Sequence, residues 1–151
     1  MYEILDCKLD RKYWKKILDE NDINNILYFP EYLMLWELNG DGIAKNFFYK
    51  SDYGIVLYPF LNRKINSLEF FQQMKIDEIF YDITSPYGYG GHLVKPYNKS
   101  NKKLLLEGFI KEFSLYCKKS NIVSEFIRFH PLMENHANFI DRLEIERMNS
   151  I

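Results

Sequence analysis

Cysteine is scarce: Cys7 and Cys117 are the two in 151 residues, far apart and without metal-ligand spacing. That argues against a disulfide framework, which belongs to small cysteine-dense secreted chains, and leaves reduced thiols in a cytoplasmic protein as the expectation. A charge excess is also missing. Twenty Lys and Arg face 21 Asp and Glu, so no global field draws nucleic acid or an anionic membrane to the chain, and DNA is not an expected partner. No apolar run approaches the roughly 18 residues of a membrane span. The opening "MYEILDCKLDRKYW" carries too much charge for a signal peptide. His92, His130 and His136 complete no metal motif with a Cys or carboxylate, and no serine or cysteine sits in a nucleophile setting, so no metal is expected.

What is present is a ring-rich composition, 47% apolar and 17% aromatic with twelve Tyr and twelve Phe, on a chain long enough for one core and one domain over residues 1–151. Asp10 can cap a first helix in which Tyr13, Trp14, Ile17 and Leu18 recur at helical spacing, closed by "DENDINN". "FPE" at Phe29–Glu31 starts a second helix, with proline at the first position and glutamate at the positive dipole end, stopping near Gly40. "IAKNFFYK" and "GIVLYPFLNRKI" flank the turn residues "SDYG", so Ile43 to Ile65 reads as an antiparallel hairpin. Pro59 falls inside its second strand; lacking an N–H, it marks an edge, a bulge or a change of pairing.

"EIFYDIT" follows as a strand, and a long helix over roughly residues 100–119 repeats Leu106, Phe109 or Ile110, Phe113 and Tyr116 or Cys117, its lysines forming a solvated face. "IVSEFIRFH" is then a strand and "PLMENHANFI" a short helix or turn. The order α, α, β-hairpin, β, long α, β, α predicts a mixed α/β (α+β) fold: a largely antiparallel twisted sheet flanked by helices.

Two stretches carry candidate chemistry. "YDITSPYGYGGHL" lacks both the Gly-x-Gly-x-x-Gly and the Gly-x-x-x-x-Gly-Lys-Ser/Thr patterns, so nucleotide sites of those kinds are not expected. Gly88, Gly90 and Gly91 allow close backbone approach after the strand, which fits either a tight corner or a substrate-lining loop walled by Tyr87 and Tyr89. In "SEFIRFHP", alternation puts Ser124, Phe126, Arg128 and His130 on one face and Val123, Glu125, Ile127 and Phe129 on the other. Charge among apolar residues on both faces fits structural ion pairs, or, for Arg128 and His130, a grip on a phosphate or carboxylate.

Taken together, "FPEYL", "YPFLNRKI", "YDITSPYGYGG", the long helix and "SEFIRFHPLMEN" resemble the N-terminal half of GNAT-like proteins related to the Fem-type aminoacyltransferases. Those enzymes attach amino acids to peptidoglycan precursors, and relatives occur in cell-envelope polysaccharide loci. The resemblance spans roughly residues 25–140 and implies a GNAT-like half-domain that transfers an acyl or aminoacyl group to an amine. The implied donor is an acyl-coenzyme A such as acetyl-coenzyme A, or an aminoacyl-tRNA; the acceptor is a small molecule or an envelope precursor. An Arg/Gln-x-x-Gly-x-Gly/Ala donor signature is not found, since Gln72 and Gln73 are not followed by the required glycines, and no cofactor is assigned. For that transfer chemistry residue type and position point to Asp82, His130 or a water as base, to the backbone near Gly88 to Gly91 as oxyanion donor, and to Tyr87, Gly88, Tyr89, Gly90, Gly91 and Arg128 as the substrate-binding set. Family members commonly have two halves, so the chain is expected to partner a second GNAT-like half or to form a homodimer. The alternative is a non-catalytic GNAT-like domain that acts by binding.

Overall fold

The computed structural model describes residues 1–74 and 76–139. They form an α+β fold, a six-stranded, mostly antiparallel open sheet with four α-helices. In chain order these are β1 (Tyr2–Asp6), α1 (Arg11–Glu20), α2 (Pro30–Leu38), β2 (Ile43–Ser51), β3 (Gly54–Lys64), α3 (Glu69–Gln73), β4 (Tyr81–Thr84), β5 (Leu93–Pro96), α4 (Lys102–Lys119) and β6 (Ile122–Phe126). The sheet runs β1-β2-β3-β4-β6, with β5 also paired to β3; β4 and β6 are parallel and the other pairs antiparallel. Among the described residues no helix is long and apolar enough to cross a membrane.

Helices α1, α2 and α4 and the hairpin form where periodicity and turn residues place them, whereas the short α3 and β5 are not expected from the sequence. Strand β1, preceding both helices, has no counterpart in the sequence reading, because its five residues mix charge with apolar positions at a sheet edge. Asp10 occupies the N-cap of α1 without capping it: its Oδ2 accepts the Asp6 N–H at 2.9 Å and ties the helix entry to the end of β1. The strand expected over "EIFYDIT" shortens to Tyr81–Thr84. The one expected over "IVSEFIRFH" is regular only to Phe126 and then continues through a single bridge between Phe129 and Gly90. "PLMENHANFI" holds a 3₁₀ turn, Asn135–Asn138, and its last residue lies outside the described residues.

Strand β3 is buried on both faces, which is why "GIVLYPFL" reads as a continuous apolar run. Ile55, Leu57 and Leu61 meet Trp14, Ile17, Leu18 and Leu33 of α1 and α2. Val56, Tyr58 and Phe60 meet Phe109, Phe113 and Tyr116 of α4. Each fully buried large side chain contributes about 1.5–3 kcal/mol, so these two layers dominate the driving force. Across the first, Glu31 joins α2 to Arg11 Nε and Lys15 Nζ of α1, both at 2.9 Å. At the other end of α2, Glu37 Oε2 accepts the Ala44 N–H at 2.7 Å and pins the helix to β2.

Pro59 is where the pairing changes. Counting from the two-residue turn that closes at Ser51 and Gly54, the odd-numbered residues of β3 turn their main-chain polar groups away from β2. Ile55 and Leu57 give them to β5, Leu61 and Arg63 to β4, and between those pairs stands Pro59 with no hydrogen to give. The far edge of β3 is thereby divided between two short strands, and the chain joining β4 to β5 crosses the gap as the loop Ser85–His92.

Helix α4 lies so close to β2 that a methyl on Gly108 would overlap the Tyr49 hydroxyl, and Tyr49 is 7% exposed with little room to withdraw. Gly108→Ala, which in an open helix would gain about 1 kcal/mol, is expected instead to destabilise by about 1–3 kcal/mol. Adding Tyr49→Phe should recover most of that loss in urea unfolding; a stabilised Gly108→Ala would show that the helix has slack.

Candidate functional site

Strands β4 and β6 end side by side, and in open sheets the loops beyond the carboxyl ends of parallel strands are where ligands are held. Here those loops are Ser85–His92 and the continuation of β6 from Ile127 to His130. Buried Ser85 stitches them together: its N–H donates to Phe126 O at 3.0 Å and its Oγ accepts the Arg128 N–H at 3.2 Å. The Gly90 N–H donates to Arg128 O at 2.8 Å.

Asn135, 4% exposed, closes the assembly by donating from Nδ2 to Gly90 O at 2.9 Å while its Oδ1 accepts the His130 N–H at 3.1 Å. Gly91 has φ +91°, and a Cβ there would come within 3.0 Å of both Asn135 Nδ2 and Phe129 Cδ1. Backbone conformation and packing therefore both require glycine.

Of the residues singled out in the sequence, Tyr87, Gly88, Tyr89, Gly90, Gly91, Arg128 and His130 come together at this corner. The Tyr87 carbonyl accepts the Tyr32 hydroxyl at 2.6 Å, and its ring lies 5.7 Å from Trp36, making an aromatic wall with α2. Gly88, with φ +95°, lets the Tyr32 hydroxyl approach to 3.2 Å of where a Cβ would be. The Tyr89 ring is 5.4 Å from His130, and the exposed Arg128 guanidinium sits 5.0 Å over the Phe126 ring. His130 Nδ1 accepts the Leu132 N–H at 3.1 Å, so the neutral ring carries its proton on Nε2 and presents a donor there.

Two expectations meet obstacles. Asp82 holds Arg63 across the sheet, with Nε at 2.8 Å and the second guanidinium nitrogen on its other oxygen, so a base role requires breaking that pair. The glycine backbone is partly spent as well: Gly90, an expected oxyanion donor, already gives its N–H to Arg128 O because that bond joins the loop to β6.

Alternation along "SEFIRFHP" separates its two faces from Ser124 onward, but Val123, expected on the inner face, is exposed. Ile127 and Phe129 pack on the α4-side core, whereas Ser124, Phe126 and Arg128 are exposed. Sequence reasoning missed Tyr32, Trp36, Ser85 and Asn135. Tyr32 and Trp36, four residues apart on one helix, carried a usable signal; Asn135 carried none, since its partners are 5 and 45 residues away. Both thiols are free, and burial is the main cause pushing each up to about 12, which leaves them protonated and unreactive. Among the described residues no group of three or more His, Cys, Asp or Glu is placed to hold a metal.

His92, 3% exposed at the end of the loop, lies with its ring 4.0 Å from Tyr58 and 4.1 Å from Phe139, and burial pushes its pKa down to about 3. Below the ordinary value of 6.5 the unfolded chain takes up a proton that the folded chain refuses until about pH 3. His92 therefore removes about 1.4 kcal/mol of stability per pH unit as pH falls through that window. The stability gap between wild type and His92→Gln should shift by about 2 kcal/mol between pH 7 and pH 5 in urea unfolding; parallel losses would mean His92 is not held neutral. Separately, Asn135→Ala should raise amide exchange across residues 85–92 and 128–130, and unchanged protection there would remove Asn135 from its clamping role. No family model matches the chain, and no curated protein or solved structure matches it.

Proposed function

We propose that the chain is the acceptor-binding half of a GNAT-like N-acyl- or aminoacyltransferase that serves cell-envelope or polysaccharide biosynthesis in the cytoplasm. The observation that carries this reading is the convergence of an aromatic wall, an exposed guanidinium and an imidazole N–H donor at the ends of the parallel pair β4 and β6. The mixed sheet flanked by helices is the fold that the resemblance implies.

In this reading Tyr87 and Trp36 give the acceptor a face to stack on, and Arg128 takes its phosphate or carboxylate through a charge-assisted pair. His130 Nε2–H is placed to donate to an oxygen that gains charge as the amine attacks, which suits oxyanion stabilisation better than proton abstraction. Asp82 would serve as base only after Arg63 withdraws. A second GNAT-like half, or a second copy of this chain, would complete the cleft and hold the donor, an acyl-coenzyme A or an aminoacyl-tRNA. The commitment of Asp82 and of the Gly90 N–H favours the second reading, a GNAT-like module that binds the same acceptor without turning it over.

Isothermal titration with a diphosphate-linked sugar, UDP-N-acetylglucosamine, is expected to show saturable binding that Arg128→Ala weakens at least tenfold, about 1.4 kcal/mol. Acetyl-coenzyme A and coenzyme A, run alongside, should show none for the chain alone, and saturable acetyl-coenzyme A binding would place a donor site in this half. Unchanged affinity in a folded Arg128→Ala variant, or no binding of the sugar, overturns the acceptor assignment.

A further inference from the structure

Behind the loop Ser85–His92, on the α4 face of the sheet, lies a cavity of about 150 Å³ lined by His92, Phe109, Ile110, Phe113, Glu125 and Phe139. We propose that it is a binding site for a small primary amine, bound as its ammonium ion with the nitrogen on Glu125 and an apolar stem of about one ring among the phenylalanines. The site lies apart from the Tyr87 and Arg128 cleft and does not depend on the transferase reading.

Three polar atoms in this region lack a hydrogen-bond partner among the described residues: His92 Nδ1, Glu125 Oε1 and the Tyr58 hydroxyl. Orphaned polar atoms are uncommon in a folded interior, and His92 Nδ1, with no polar neighbour acting on it, signals a missing partner beside the Glu125 carboxyl. The Tyr58 hydroxyl leans toward the Glu125 carboxyl and partly offsets the cost of its burial, although the pair falls short of a well-formed hydrogen bond. The titratable groups acting on Glu125 are Tyr58 from β3 and Cys117 from α4, and burial keeps both protonated. His92, from the loop side, is neutral. Among the described residues the carboxyl thus has no cation, and its own burial disfavours the charged form.

An ammonium group supplies what is missing. It brings the positive charge, N–H donors for Glu125 Oε1, and a hydrogen bond that His92 Nδ1 can accept. Phe109, Phe113 and Phe139 line the space and pack on one another and on His92, so the cation and its stem would sit against aromatic rings. Water could satisfy the polar atoms but would leave the phenylalanine wall unfilled. The volume is close to that of an apolar cavity of about 150 Å³ that admits one benzene ring. A larger hollow of about 260 Å³ near the β2–β3 turn, bordered by exposed Glu3, Lys50 and Asp52, has no comparable buried group.

The test is titration of the folded chain with benzylamine at neutral pH, followed by amide and aromatic NMR shifts, with toluene and benzoate as comparison probes. Saturable benzylamine binding that shifts Ile110, Ser114 and Phe139, weakens at least tenfold in Glu125→Gln and exceeds toluene binding is the expected result. Equal affinity for toluene and benzylamine would reduce the site to a plain apolar cavity, and undiminished benzylamine binding by Glu125→Gln would remove the carboxylate from it. Should Glu125→Gln fail to fold, Ser114, which also lines the cavity from α4, offers a second variant: Ser114→Phe fills the space and must abolish the benzylamine shifts. No saturable binding by a folded wild-type sample overturns the proposal.

Discussion

A strand residue without an amide hydrogen governs this fold. Pro59 sits in the longest strand of the sheet, at a position whose main-chain polar groups point away from β2. A continuous neighbour on that edge would have to leave an acceptor unpaired in the protein interior. Two short strands meet the edge instead, β5 below the proline and β4 above it. The connecting segment between them has no ladder to join and must find its hydrogen bonds elsewhere.

It finds them on the end of β6. Ser85, Gly90 and Asn135 account for most of the bonds that fix the loop, and they draw the continuation of β6 alongside it. This explains why the corner is rich in small residues and why it is specific in shape. Glycines give the close approach, and each main-chain bond spent on holding the loop is unavailable to a ligand. What faces outward is therefore side chains: Tyr87 against Trp36, Tyr89 against His130, Arg128 over Phe126.

The inward side has the opposite balance. His92 enters the aromatic layer from the loop, and Glu125 enters it from β6, each displaced from the partners that a surface group would have. Rings of α4 fill most of the surrounding space but leave a cavity at the carboxyl. The outer corner has spent its main-chain polar groups on structure and offers side chains, whereas the inner cavity keeps a buried polar atom unspent. That contrast makes the two regions different in kind, one an outward-facing recognition surface and the other a partly open, ring-lined cavity.

Local pattern determined a good deal. The apolar repeat of α4, Pro30 at the start of α2 and the turn residues "SDYG" each act through neighbours a few residues away, so the mixed class, the helices and the hairpin were legible without coordinates. Pro59 could be recognised as a break, because a missing N–H is a property of the residue itself. Strand alternation also separated Glu125 from Arg128. The tertiary structure alone decided which strands share the divided edge, that Asn135 clamps the glycine loop, that Asp82 is held by Arg63, and that the half-buried Glu125 has no cation among the described residues. Each of these depends on partners distant in sequence, and the side-chain periodicity of a strand or helix records which face a residue takes but not what waits on the other side.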